Sequence, residues 1–115
     1  MTHRRWDIVF IRLDEKDRDG HPAVVLSSAD VMSDPKQLRF NVITGTKKQP
    51  AEQAGNHQVI LDEADGLEFV TLVDCSLLYV ARKSSILRSS GTVTNHRRPQ
   101  IQRAVRGYQI GRAHV

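Results

Sequence analysis

The 115-residue sequence has one cysteine, few aromatic residues and no long apolar run. With a single cysteine, Cys75, an intramolecular disulfide is impossible, so the fold must be stable without a cross-link. Because Cys75 lies in an apolar stretch, we expect a packed, inert thiol rather than a nucleophile. No segment approaches the roughly 20 apolar residues that span a bilayer, and the N-terminus shows no signal-peptide pattern. We therefore expect a cytoplasmic protein without membrane contact.

Metal-ligand spacing is also missing. The five histidines are scattered, and no cluster of His, Cys and carboxylates suggests a metal site, so neither a metal nor a cofactor is predicted. No internal repeat appears. The length fits one domain, 1–115, with its core from about residue 6 to residue 111. A domain this small buries only roughly two-thirds of its unfolded surface, so a dimer interface would cover useful apolar area.

Acidic residues are absent from the last third of the chain. All 13 lie at or before Asp74, with nine of the 17 basic residues, which gives that part a formal charge of −4. Residues 75–115 hold the other eight basic residues and carry +8. Such asymmetry is typical of a surface that binds phosphate groups. A solvated basic helix, or a surface for an acidic protein partner, would produce the same pattern.

Short β-type segments follow one another along most of the chain, separated by turns that contain glycine or proline. The predicted strands are 6–13, 22–27, 37–43, 57–61 and 67–75, with short apolar pieces at 77–80 and 84–87. Residues 28–36 allow one turn of helix at most. The stretch 44–56 has no periodicity and is predicted to be a long mobile loop, a feature that is often functional.

The apolar period changes near the C-terminus. Four residues with i, i+3, i+4 and i+7 spacing share one helical face: Ile101, Ala104, Val105 and Tyr108. Proline is tolerated only in a first turn, so Pro99 places the helix start at 97–99, and we expect its end before Gly111. We interpret the apolar face as packing on the sheet rather than binding a partner. Strands followed by one helix predict a mainly β protein, a small antiparallel barrel or bent sheet.

Three segments, in this order and at this spacing, resemble the PemK/MazF family of toxin–antitoxin toxins. Trp6–Asp14 and then Gly20–Ser27 resemble the family's opening hairpin with its Gly-x-Arg-Pro-Ala-Val-Val-Leu-Ser type motif. Val42–Thr46 is similar to a family strand that ends in Ile-Thr-Ser. Leu67–Asp74 with the later Gly91–Val93 resembles the Val-x-x-Asp-Gln strand and the Gly-x-Val lead into a helix. Together they cover nearly the whole chain.

The resemblance implies an SH3-like barrel of the PemK/MazF/CcdB type with a C-terminal helix. It further implies a homodimer, a cognate antitoxin, contact with operator DNA only through the antitoxin complex, and metal-independent cleavage of single-stranded RNA. In such toxins the 2′-hydroxyl of the RNA attacks the adjacent phosphorus and leaves a cyclic phosphate. That reaction needs a base, an acid and donors to the phosphate oxygens.

The resemblance also suggests catalytic positions. Thr44 matches a family threonine and is expected to donate to phosphate, although it would equally serve as a strand cap. His21 stands where the family has arginine. An imidazole transfers protons near neutral pH but lacks the permanently charged, two-pronged guanidinium of arginine. The alternative is that His21 is a half-exposed packing residue. Asp74 matches a family aspartate that would orient a catalytic group or contact a base, or else accept bonds from a neighbouring loop.

RNA contacts are expected beside Thr44. Thr46, Lys47 and Lys48 follow it after Gly45, and we expect the lysines to bind the RNA backbone. The loop Asp14–Gly20 carries four acids and two bases, so it is expected to repel phosphate.

Three functions remain open from sequence. The first is a toxin that cleaves RNA. The second is a non-catalytic relative that binds nucleic acid or antitoxin and represses its own operon, which the histidine and the acidic loop favour. The third, a gyrase-poisoning toxin with a related barrel, ranks last because nothing in the basic C-terminal segment matches that mode.

Overall fold

The computed structural model describes residues 2–46, 55 and 57–113, with side chains as far as residue 107. Within these residues it contains seven strands and two α-helices. In chain order they are β1 Asp7–Ile11, β2 His21–Val25, α1 Ala29–Ser33, β3 Arg39–Thr46, β4 Gln58–Leu61, β5 Thr71–Asp74, β6 Tyr79–Arg82, β7 Ile86–Thr92 and α2 Arg98–Ala113. Two 3-10 turns, Glu63–Asp65 and Lys83–Ser85, precede β5 and β7.

All strand pairs are antiparallel. The sheet order is β4-β5-β3-β2-β1-β7, and β6 pairs with β3 outside this path. The eight-residue β3 is the centre of the sheet, because one of its edges pairs with β2 while the other pairs first with β6 and then with β5. The result is a mainly β protein with a curled antiparallel sheet of half-barrel form and a C-terminal helix, which confirms the predicted fold class.

Both faces of the sheet are buried. Ile8 on β1 belongs to the core that packs against α2, whereas Val9 belongs to the opposite core, with Met32 of α1. Both β1 side chains are at most 1% exposed, as expected for a strand buried on both faces. Each such side chain stabilises the fold by about 1.5–3 kcal/mol through removal of apolar area from water.

The C-terminal helix packs as predicted along its described part. Ile101 is fully buried, and Ala104 and Val105 pack against the first core. The side chain of Tyr108 lies outside the described residues. The predicted helix end is wrong, since α2 continues past Gly111 to Ala113. An interior glycine costs a helix only about 1 kcal/mol relative to alanine, which does not force it to stop.

Two strand boundaries also differ from prediction. β3 continues to Thr46 because Gly45 and Thr46 pair with β5, so the predicted start of the loop at residue 44 is wrong. Residues 47–54 and 56 of that loop lie outside the described residues. β5 begins at Thr71 rather than at residue 67, because the preceding 3-10 turn ends at Gly66 in the left-handed conformation and redirects the chain.

None of the helices in the described part of the chain combines the length and apolar character needed to cross a membrane.

Candidate active site

The β2–β3 pairing brings the first two predicted site residues together. Ala23 of β2 is the partner of Thr44 of β3. In an antiparallel pair, moving two residues along each strand gives the next pair on the same face. His21 therefore comes opposite Thr46, next to Thr44.

The β3–β5 pairing adds the third predicted site residue, Asp74. Thr46 pairs with Leu72, so the same two-residue step brings Asp74 opposite Thr44 on the other edge of β3. Asp74 in turn pairs with Gln58 of β4. Thr44 thus lies between the strands that carry His21 and Asp74.

These side chains line an open cleft of about 460 Å³. The four predicted residues that the structure describes all contribute to it. Its lining comprises His21, Thr44, Gly45, Thr46, Gln58, Leu72, Asp74, Leu77 and Tyr79. Lys47 and Lys48, predicted to bind RNA, lie outside the described residues.

The cleft forms where β3 changes its partner. One edge of β3 pairs with β6 up to Val42 and with β5 from Gly45 onward, so the two strands diverge between these points. A Cβ on Gly45 would lie 2.6 Å from Cγ2 of Thr71 and 3.1 Å from the carbonyl oxygen of Leu72. Glycine is therefore needed for β5 to approach β3 this closely beside Thr44.

His21 is held by a carboxylate of the preceding loop. Its Nδ1 lies 2.8 Å from Oδ2 of Asp17; the His21 side chain is 47% exposed and that of Asp17 only 12%. The Asp17 carboxylate also accepts N–H bonds from Leu13 and Gly20, each at 3.0 Å. The bond from the Leu13 N–H is the main cause that holds the pKa of Asp17 below its usual range, and the contact with His21 lowers this pKa further.

The loop before β2 is shaped by Gly20. Its φ of +78° lies in the left-handed region, and a Cβ there would come within 2.9 Å of Cδ1 of Leu87 and 3.1 Å of the Ile11 carbonyl oxygen. Glycine thus permits the sharp return into β2 that brings Asp17 and His21 together.

Asp74 has a structural partner as well as a place in the cleft. Its Oδ1 accepts the backbone N–H of Ser76 at 2.9 Å and the Ser76 hydroxyl at 2.5 Å, which fixes the turn after β5. Nε2 of His57 lies 3.9 Å from the same oxygen, and the His57 side chain is 48% exposed. Bonding to a neighbouring loop, one of the two roles expected for Asp74, is therefore present in the structure.

Sequence reasoning missed several residues of this region. Gln58 and Tyr79 reach the cleft only through strand register, which a single sequence does not reveal. His57 adjoins it by way of Asp74. Asp17 had a local signal, a carboxylate four residues before His21 in a loop ending in glycine, but its burial was not apparent.

Cys75 takes no part in the site. It is fully buried, and burial, followed by the neighbouring charge of Asp74, raises the pKa of its thiol to about 12. The expectation of a packed, inert thiol is confirmed. In the part of the chain that the structure describes, no three His, Cys, Asp or Glu side chains are grouped to hold a metal ion.

The sequence matches no protein-family model and no curated protein. Solved structures, in contrast, are similar over nearly their full length. The Mycobacterium tuberculosis toxin MazF-mt6 has a TM-score of 0.74 at 18% identity, over 90% of this chain and 96% of that one. An endoribonuclease in complex with its cognate antitoxin, from a mycobacterial species, gives 0.73 at 14% identity, over 94% and 93%.

The crystal structure of MazE–MazF from Deinococcus radiodurans also gives a TM-score of 0.73 at 14% identity, covering 96% of this chain and 97% of that chain. At such identities the likeness establishes the architecture. It confirms the family resemblance seen in the sequence at the level of the fold. The chain has the fold of the MazF toxins.

Proposed function

We propose that this protein is the toxin of a type II toxin–antitoxin system and a metal-independent endoribonuclease that cleaves single-stranded RNA in the cytoplasm. One observation carries the proposal: His21, Thr44, Thr46 and Asp74 line a single cleft. The fold adds support, because similar structures include the toxin MazF-mt6 and an endoribonuclease bound to its cognate antitoxin.

His21 is the proposed base. Nδ1 is occupied by Asp17, so Nε2 is the ring nitrogen available to a substrate. Nε2 takes the proton of the 2′-hydroxyl, the 2′-oxygen forms a bond to phosphorus, and the bond from phosphorus to the 5′-oxygen breaks. The products are a 2′,3′-cyclic phosphate and a 5′-hydroxyl. By taking the proton, His21 also becomes an imidazolium and supplies a positive charge of the kind that arginine carries permanently.

Thr44 is the proposed donor to the phosphate. Thr44 lies on β3 between β2 and β5 and lines the cleft. A hydrogen bond from its hydroxyl to a non-bridging phosphate oxygen would strengthen as charge develops there. Thr46, with Lys47 and Lys48, would bind the adjoining RNA backbone.

The departing 5′-oxygen needs a proton. His57, beside Asp74, is the second imidazole of this region and our candidate for the acid. Oδ1 of Asp74 lies 3.9 Å from Nε2 of His57, and the same oxygen fixes the turn at Ser76. His57 enters the reaction protonated, and donating its proton to the 5′-oxygen leaves it neutral. Solvent then reprotonates His57 and takes the proton from His21, which restores both rings.

Cleavage is tested with purified protein, long mixed-sequence RNA and excess EDTA. We expect discrete cuts whose upstream ends carry a cyclic phosphate. The matched control is His21→Ala purified in parallel, which reports any contaminating nuclease. Absence of discrete cuts, or identical cuts from the His21→Ala protein, would contradict the proposal.

The proposed partners are a second copy of the chain and the antitoxin, with operator DNA bound only through the antitoxin complex. Four consecutive apolar residues at β6 are 42% or more exposed beside the cleft, namely Leu77, Leu78, Tyr79 and Val80. Such a contiguous patch is typical of an interface. Light scattering is expected to give twice the 13.0 kDa chain mass, and the chain mass alone would contradict a homodimer.

A second candidate is a non-catalytic relative that binds nucleic acid or antitoxin and acts in operon autorepression. It is favoured by the lining of the cleft, which holds no arginine or lysine among the described residues. In that case His21→Arg would create cleavage that the native protein lacks. Robust cleavage by the native protein would exclude this candidate.

A further inference from the structure

Asp17 differs from every other side chain of its loop. Between Arg12 and Asp19 it alone is not exposed. Its two oxygens accept three hydrogen bonds, from the N–H of Leu13, the N–H of Gly20 and the ring of His21. A carboxylate that is turned inward and fully engaged has a fixed orientation before any substrate arrives.

We propose that Asp17 is a positioning residue that holds neutral His21 as its Nδ1–H tautomer and thereby leaves Nε2 as the proton acceptor at the cleft. The inference deepens the proposed function, and its catalytic meaning rests on that function. The tautomer itself is a property of the free protein.

The hydrogen-bonding capacity of the Asp17 carboxylate determines the tautomer of His21. An ionised carboxylate can only accept hydrogen bonds, so a neutral ring that lies 2.8 Å from Asp17 must carry its hydrogen on Nδ1. Nε2 then has a free lone pair, and within the described residues no hydrogen bond reaches it. The His21 side chain is also 47% exposed and lines the cleft.

The two backbone bonds explain why Asp17 can perform this task. The Leu13 N–H precedes the loop and the Gly20 N–H ends it, so the carboxylate is anchored to both ends of the chain reversal. Rotation of Asp17 would break at least one of these bonds. The imidazole therefore takes its orientation from the backbone through Asp17, and the ordering is complete before RNA binds.

The contact between Asp17 and His21 also connects two differences from the family pattern. Histidine replaces arginine at position 21, and the preceding loop is acidic. Arginine needs no carboxylate to remain charged or to select a tautomer, whereas a histidine that acts as a base needs both its orientation and its free nitrogen fixed. One acid of the loop, Asp17, thus serves the histidine rather than opposing the substrate.

The test is the ¹⁵N NMR spectrum of the His21 ring in the free protein, assigned with His21→Ala. It is recorded about two pH units above the usual histidine pKa of about 6.5, where the ring is neutral. We expect the native ring to show a protonated Nδ1 and an unprotonated Nε2. In Asp17→Ala we expect a shift toward the Nε2–H tautomer that a solvated histidine side chain favours.

A second variant guards against loss of the loop structure. Asp17→Asn keeps a carbonyl oxygen for one of the two backbone bonds but carries no charge to stabilise the imidazolium. It is expected to fold, to keep its KM and to lose at least about tenfold in kcat, part of the roughly 10²- to 10⁴-fold that a positioned acid–base group contributes. Asp14→Asn, an exposed acid of the same loop, is the matched control and should leave both spectrum and kcat unchanged.

The outcomes separate the two proposals. A native ring that is mainly Nε2–H, or a spectrum that Asp17→Ala leaves unchanged, overturns the positioning role whatever the activity. Equal kcat for Asp17→Asn and native protein also overturns it. If the native ring shows the predicted tautomer but the protein cuts no RNA, the proposed function is overturned. The catalytic role of the Asp17–His21 pair is then overturned with it.

Discussion

Two clusters in which carboxylates bind a nitrogen-bearing side chain lie at different places in this fold. At the cleft, Asp17 holds His21. Directly before the start of α2, Arg97 binds both Asp62 and Asp65. Both clusters use carboxylates that also accept backbone N–H bonds. They differ in exposure, because the Asp65 side chain is fully buried and that of Arg97 is 21% exposed, whereas that of His21 is 47% exposed.

The clusters also differ in whether every polar atom is engaged. Asp65 accepts the N–H groups of Asp62 and Thr94 in addition to the Arg97 guanidinium, so both of its oxygens are occupied. In the other cluster, Nε2 of His21 has no hydrogen bond among the described residues. Closed networks of this kind stabilise a fold, while an open position on a fixed ring is available for chemistry. We therefore expect mutations in one cluster to change stability and mutations in the other to change activity.

The largest effect is expected at the cleft. His21→Ala should lower the RNA cleavage rate by about 10²- to 10⁴-fold, because the base is removed. Since the side chain is half exposed, the free energy of unfolding should change by less than about 0.5 kcal/mol. Single-turnover cleavage and urea unfolding measure the two quantities. A native cleavage rate in the variant would remove His21 from the mechanism.

The next largest effect is expected in the cluster of Arg97, Asp62 and Asp65. Arg97→Ala leaves the buried Asp65 charge without its cation and should lower the free energy of unfolding by about 3 kcal/mol, the low end of the range for broken buried pairs. Arg103→Ala, an exposed position on the following helix α2, is the control and should cost less than about 0.5 kcal/mol. Cleavage per folded molecule should stay at the native rate. A strong loss of cleavage in folded Arg97→Ala would show that the two clusters are coupled.

A smaller loss is expected at Thr44. Thr44→Val removes the proposed donor with little change in shape, and a hydrogen bond to a charged group contributes about 1.5 kcal/mol or more, so kcat should fall at least about tenfold. Thr44→Ser keeps the hydroxyl and should remain close to native. If both variants cleave equally well, the hydroxyl is not a donor to phosphate.

The smallest effect is a pH dependence of stability. The Arg97 guanidinium, helped by the N–H of Ala64, lowers the pKa of Asp62 from 3.8 to about 2. The folded state thus binds this proton less readily than the unfolded state, so the contribution is full above the unfolded pKa and is lost as the pH falls toward 2. Unfolding experiments should show the stability gap between native protein and Asp62→Asn narrowing over that range. A gap that stays constant would mean that Asp62 does not titrate as its contacts imply.

Sequence and structure agree where the signal is local. Thr44 and Asp74, predicted from short motifs, both line the cleft, and the buried face of Ile101 is predicted by helical spacing. The residues missed in the cleft, Gln58 and Tyr79, depend on which strands pair and in which register, and that information is distributed over the whole chain. Most of the fold was therefore predictable, but only part of the site.

Asp17 shows a different limit. Its charge was visible in the sequence and was interpreted, with the rest of its loop, as a repulsive surface. The structure partly buries this one acid, whose side chain is 12% exposed, and gives it three hydrogen bonds. Whether a charge repels a ligand or holds a neighbour depends on its burial, which composition does not reveal.

The most direct test of the central claim uses two matched oligonucleotides that contain a cleavage sequence mapped from the long RNA. One is all RNA, and the other has a single 2′-deoxy sugar at the position whose hydroxyl would attack. In EDTA, the native protein should cut the first to a cyclic phosphate and leave the second intact. Failure to cut the RNA, or equal cutting of both, would contradict metal-independent cleavage by 2′-hydroxyl attack at the His21 cleft.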